Sequence, residues 1–89
     1  MSYHFYILKS QKFDRYYLGQ TSNLKSRLQR HNRGEMFSTK PYLPWELIYY
    51  ETFHTRAQAM GREHFLKSPE GWKELQEIKS KLKKPLSIP

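Results

Sequence analysis

Tyr6, Tyr17, Arg27, His31 and Glu63 are the residues of this sequence whose types and spacing suit chemistry on an anionic substrate. A guanidinium is always charged and matches phosphate in a bidentate fork, which suits Arg27 to neutralising phosphate oxygens. A phenol near pKa 10 is a poor base at neutral pH, so either tyrosine needs nearby positive charge, from Arg27 or a metal ion, to favour phenolate. Phosphodiester displacement asks for an activated water, neutralised non-bridging oxygens and help for the leaving oxygen. Taken singly, each side chain has a plainer reading. Two tyrosines on one hairpin pack as a cross-strand pair, a helix-edge arginine lies along its own surface, and a lone glutamate is a solvated charge. A histidine four residues after an arginine sits at the surface or caps the end of a helix. Only the order in which all five occur gives them joint weight.

Positioning them requires a hairpin and two helices. Residues 3–8, from Tyr3 to Leu8, are aromatic and branched on both parities, the pattern of a strand buried on two faces. A polar stretch from Lys9 to Arg15 makes a loop before Tyr16 to Gln20 resumes an extended run. Closing this hairpin about residues 11 and 12 sets Tyr6 directly opposite Tyr17, with both rings on one side of the sheet. Thr21, Ser22 and Asn23 are three successive N-cap candidates ahead of a helix over 24–32, and Gly34 is placed to end it in a left-handed conformation. Leu24, Leu28 and His31 form its i, i+4, i+7 stripe, and Arg27 with His31 is an i, i+4 pair at the stripe's edge.

Pro41 and Pro44 mark residues 35–44 as a connecting loop before a third strand over 45–51. Thr55 caps a helix through about Leu66, and Ser68, Pro69 and Glu70 start another that runs to about Leu82. The predicted order is β-β-α-β-α-α, a small three-stranded sheet, antiparallel or mixed, flanked by helices, in the α+β class. One domain over 1–84 is expected, with a loose tail over 85–89.

Hydrophobic residues make up 37% of the chain and aromatics 16%, so the core leans on large rings. With no cysteine there is no disulfide frame, thiolate nucleophile or zinc-thiolate site. No apolar run approaches the roughly 18 residues of a membrane helix, and a soluble, unexported, cytoplasmic chain is expected, with no membrane partner. Sixteen Lys and Arg against eight Asp and Glu give a net charge of +8. Residues 1–40 hold eight basic and two acidic side chains, so a polyanion partner is the natural inference. Lys9, Lys12 and Arg15 on the hairpin loop and Lys25, Arg30 and Arg33 on the first helix are the candidates for backbone phosphate contacts. The run from Lys79 to Lys84, with four lysines and no acid, extends that list.

His4-Phe5-Tyr6, Tyr17-Leu18-Gly19, then Gln20 to Leu24, Arg27-Leu28, His31-Asn32, Trp45 to Glu51 and Ala59 with Glu63 occur in one register. This ordered set resembles the GIY-YIG nuclease family, in particular its short stand-alone members, over residues 3–67. The resemblance implies that Tyr6 and Tyr17 flank a scissile phosphate, Arg27 contacts it, His31 assists proton transfer, and Glu63 is the sole protein ligand of one divalent metal, Mg2+ or Mn2+. Of the two tyrosines, Tyr17 is taken as the one that orients or activates water. Two positions depart from the family. His4 stands where the first signature has glycine, adding a side chain to the strand. The late asparagine of several members is missing, and Lys67 in the matching region is a candidate phosphate contact. The function implied is a metal-dependent endonuclease domain that hydrolyses DNA phosphodiester bonds, structure-selective rather than sequence-specific, in the setting of DNA repair. The alternative is a catalytically weak or inactive nucleic-acid-binding module of the same fold. A partner protein or self-association is expected to supply extra DNA contacts.

Overall fold

The computed structural model describes residues 1–82, 85, 86 and 88. Its elements are β1 (Tyr3–Ser10), β2 (Tyr16–Thr21), α1 (Leu24–Asn32), β3 (Trp45–Phe53), α2 (Arg56–Lys67) and α3 (Trp72–Lys81), with 3-10 turns at Lys40–Tyr42 and Pro69–Gly71. The order and the α+β class are those read from the sequence. The sheet runs β2-β1-β3 and both pairings are antiparallel, which settles the antiparallel-or-mixed alternative.

β1 is the central strand, and its two-parity burial follows from helices on both faces. Phe5, Ile7, Leu18 and Ile48 pack with Leu66 of α2 and Leu75 of α3. On the opposite face Tyr6, Leu8, Trp45 and Leu47 pack with Leu24 of α1. A β-bulge lets β3 serve both cores. Ile7 pairs with Tyr49 and Leu8 with Leu47, so Ile48 is the extra residue, and the parity facing α1 changes there. Trp45 and Leu47 precede the change, and Tyr50 follows it on the same face.

Local chemistry sets the helix limits. The Asn23 side chain accepts from the Ser26 N–H at 3.0 Å, so of the three cap candidates Asn23 is the one used. Gly34 takes φ 75° just past α1, as expected of the residue that ends it. Thr55 and Gln58 form a reciprocal capping box at the start of α2. Arg62 joins α2 to its neighbours by donating to both Glu51 oxygens, at 2.9 and 3.0 Å, and to Glu74 of α3.

Two expectations differ from the structure. Tyr6 faces Gly19, and Tyr17 faces Leu8, so the tyrosines are diagonal neighbours and not a directly opposed pair. The cause is the loop: the Ser10 hydroxyl accepts from the Lys12 and Phe13 N–H groups, and Ser10 N–H donates to Arg15, which moves the hairpin centre by one residue. That shift changes partners by two positions and leaves both rings on the same side. Pro69 opens a 3-10 turn and not α3 itself. There Gly71 lies so close to the end of α2 that a Cβ would stand 2.1 Å from the Phe65 carbonyl oxygen. Beyond α3, Leu86 N–H donates to the Leu47 carbonyl at 2.7 Å and Ile88 packs on the α1-side core. Among the described residues no strand lies beyond β3, so its outer edge is open to such a contact.

Candidate active site

Four of the five sequence-predicted residues gather on the α1 face of the hairpin. Tyr6 is 1% exposed and its ring crosses over Gly19, where a Cβ would meet the Tyr6 hydroxyl at 2.7 Å and the Tyr17 ring at 2.9 Å. Glycine at that position is therefore what allows the two rings to lie side by side, 6.1 Å between centroids. His31, in the last turn of α1, is fully buried, not the surface or capping residue of its plainer reading. Its Nε2 is 3.0 Å from the Tyr6 hydroxyl and its Nδ1 is 2.9 Å from the Thr39 hydroxyl. The imidazole also packs against Tyr17, 4.8 Å between centroids.

Arg27, one turn before His31, lines the same small hollow as Tyr6, and its charge bears on the phenol. Burial raises the Tyr6 phenol well above its ordinary pKa, the neighbouring Tyr17 adds to this, and Arg27 opposes it by charge and hydrogen bonding. Burial, then the Arg27 and Arg30 charges, lower the His31 pKa to about 4. Both members of the Tyr6–His31 pair are therefore neutral at pH 7, and the imidazole tautomer decides which of them donates.

Glu63 approaches from α2, beside Gln20, Met60, His64 and Lys67 in an open hollow, and its negative charge reaches the Tyr6 hydroxyl. Lys67 donates to Glu63 Oε2 at 2.7 Å. Among the described residues no group of three His, Cys, Asp or Glu side chains is placed to share a metal ion. A single carboxylate with one oxygen engaged by a lysine fits a hard, mostly hydrated cation and no metal that needs a protein cage.

The departure at His4 is accommodated without crowding. The His4 ring shares the face of Tyr6, where Nδ1 lies 3.0 Å from the Thr52 hydroxyl and the ring meets Tyr50 edge-on.

The predicted phosphate contacts are divided by the fold. Lys9 lies with Lys79 against the Tyr16 ring on the α2–α3 face, away from Tyr6. Arg30 and Arg33 both pair with Glu35, at 3.7 and 2.7 Å, and Lys67 with Glu63. Arg15 stacks on Tyr42. Among the described residues Lys12, Arg15, Lys25 and Arg27 have no acidic partner within ion-pair distance. Lys83 and Lys84, part of the expected basic run, lie outside the described residues.

The roles of two residues of the site were not read from the sequence. Thr39 is 1% exposed in a segment that reads as plain connection, held there by the Trp45 indole N–H donating to its carbonyl at 2.9 Å. Asn32 clamps the start of β3, accepting from Trp45 N–H at 2.7 Å and donating to its carbonyl at 2.9 Å. No helix of the described residues is long and apolar enough to cross a membrane.

Residues 2–76 match the family model described as the GIY-YIG catalytic domain. A UPF0213 protein of Clostridium perfringens is 38% identical over 77 residues, covering 85% of this chain and 82% of that one. One from Haloquadratum walsbyi is 34% identical over 67 residues, covering 74% and 75%. The solution NMR structure of a UPF0213 protein from Bacillus halodurans superposes with a TM-score of 0.51 at 26% identity, covering 89% of this chain and 86% of that one.

Proposed function

This chain belongs to the GIY-YIG catalytic-domain family, and on that premise we propose that it is a metal-dependent endonuclease domain acting on DNA phosphodiester bonds. The observation that carries the reading is the buried Tyr6–His31 hydrogen bond, with Arg27 beside the same phenol in one small hollow. That oxygen can give its proton to Nε2 while taking one from a water, and the guanidinium favours the phenolate character this requires. Tyr17, less buried and on the same face, is suited to holding that water or a phosphate oxygen by its hydroxyl. Arg27 supplies the fixed positive charge for the non-bridging oxygens.

Glu63 is the residue proposed to hold Mg2+ or Mn2+, and Lys67 must release its carboxylate for it to do so. When bound, the ion supplies charge neutralisation at the phosphate. The basic side chains favour a backbone-directed, structure-selective mode on branched, flapped or single-stranded DNA. A partner protein or self-association adding DNA grip belongs to the same proposal, as do a cytoplasmic location and a role in repair.

The Lys67–Glu63 ion pair favours the second reading, a module of this fold that binds nucleic acid without cutting it. The separating experiment is cleavage of labelled single-stranded, duplex, flapped and branched DNAs in Mg2+ or Mn2+ by wild type, Glu63→Ala and Arg27→Ala. Cleavage by wild type, with loss of about a hundredfold or more in either variant at retained binding, supports the nuclease reading. Binding without cleavage by wild type supports the module.

A further inference from the structure

The donors and acceptors around Tyr6 can be assigned one by one. Arginine has no acceptor, so the Tyr6 proton cannot go to Arg27, and among the described residues the hydrogen-bond acceptor at the phenol is His31 Nε2, at 3.0 Å. Nε2 must then be the bare nitrogen of a neutral imidazole, and the ring proton must be on Nδ1. That N–H donates to the Thr39 hydroxyl at 2.9 Å. The Thr39 hydroxyl is left to give its own proton away, and the Met36 carbonyl lies 3.4 Å from it. The donation therefore runs one way, from Tyr6 to His31, Thr39 and the backbone of the loop. Reversing the His31 tautomer would leave the Tyr6 proton without an acceptor in a buried site, which is strongly unfavourable. His31 and Thr39 are each no more than 1% exposed, so water does not substitute for a missing partner between them.

We propose that Thr39 is a positioning residue for His31: by accepting from Nδ1–H and donating to Met36, its hydroxyl fixes the imidazole tautomer that leaves Nε2 facing Tyr6 as a proton acceptor. The identity of the group bonded to one ring nitrogen sets the state of the other. Thr39 never reaches the reacting atoms and acts only through His31. The residue is held from both sides, its carbonyl by the Trp45 indole and its hydroxyl by the loop, so its oxygen is presented at a fixed place. Its kinetic consequence rests on the nuclease reading. The tautomer itself does not.

The test uses the full chain labelled with 15N-histidine, in wild type, Thr39→Ser and Thr39→Val, with His31→Gln to assign the ring signals by NMR. Wild type and Thr39→Ser are expected to show one His31 tautomer, protonated at Nδ1. Thr39→Val keeps the shape and lacks the hydroxyl, and its His31 is expected to lose that single state. Its kcat is expected to fall about tenfold or more at unchanged KM, while Thr39→Ser stays within about twofold of wild type. An Nε2-protonated wild-type ring, or a Thr39→Val protein with an unchanged tautomer, overturns the proposal. If Thr39→Val fails to fold, the wild-type spectrum and the Thr39→Ser comparison still decide it. If wild type cuts no DNA, the nuclease reading fails while the NMR result continues to judge Thr39.

Discussion

A histidine buried against a tyrosine and two arginines is a pH liability with a definite sign. The His31 pKa is about 4 in the folded chain because burial and then the Arg27 and Arg30 charges oppose protonation, against about 6.5 in an unfolded chain. Between these values the unfolded state binds the extra proton, so the His31 contribution to stability is whole above about pH 6.5 and is lost as pH falls toward 4. The gap corresponds to about 3 kcal/mol. Urea denaturation of wild type and His31→Gln at pH 7, 5.5 and 4.5 measures it. Wild type is expected to weaken on acidification by more than the variant, and parallel curves would contradict the buried neutral imidazole. The same lowered pKa keeps the ring neutral throughout the neutral range, so one nitrogen stays available as a hydrogen-bond acceptor.

At the scale of elements, the site depends on α1 and β3 being held in register, and Asn32 is where they meet. Its side chain makes both hydrogen bonds of a strand partner to the Trp45 backbone, one residue after His31 and at the first residue of β3. Removing it leaves an N–H and a C=O in a part-buried place, with an expected cost of about 1–3 kcal/mol for Asn32→Ala. Ser22→Ala, at an exposed position, is expected to stay within about 0.5 kcal/mol in the same urea titration. Equal effects of the two would mean that the clamp contributes nothing. The contrast between α1 and its surroundings also shows what sequence could convey. The helix, a cap among Thr21, Ser22 and Asn23, and its stop at Gly34 were legible because each depends on residues within a turn of one another. So was the gathering of Arg27 and His31 toward the tyrosines, since a stripe and a same-side hairpin fix it. The register was not, because Ser10 takes two loop N–H groups that composition does not reveal. The parity change at Ile48 and the burial of Thr39 were equally hidden. Each exists only once β3 has docked on β1 and α1.

For the whole molecule the question is which part of the positive charge is free to meet a polyanion. The formal charge of +8 overstates it on the α1 side, because Glu35 engages both Arg30 and Arg33. These are exposed pairs, so their contribution to stability is small, under about 1 kcal/mol, and Glu35 can be changed without unfolding the chain. Its effect on a phosphate backbone is expected to be larger. Each lysine or arginine that replaces a condensed counterion steepens the dependence of log affinity on log salt by about 0.9 on duplex DNA. Glu35→Gln is therefore expected to bind a labelled duplex more tightly and to steepen that slope by about 1 to 2. Fluorescence anisotropy between about 50 and 200 mM salt reads both quantities. Lys25→Ala, on the same helix and without an acidic partner among the described residues, is expected to shift the slope the other way by about 1. Opposite shifts of these two variants would place the outer face of α1 against the DNA, with its inner residues Arg27 and His31 turned toward Tyr6 and Tyr17. An unchanged slope in both would move the binding face elsewhere, and the hairpin loop with Lys12 and Arg15 is the next cluster to test. In that geometry α1 would position the chemistry without gripping the substrate, and cutting would depend more heavily on a second chain.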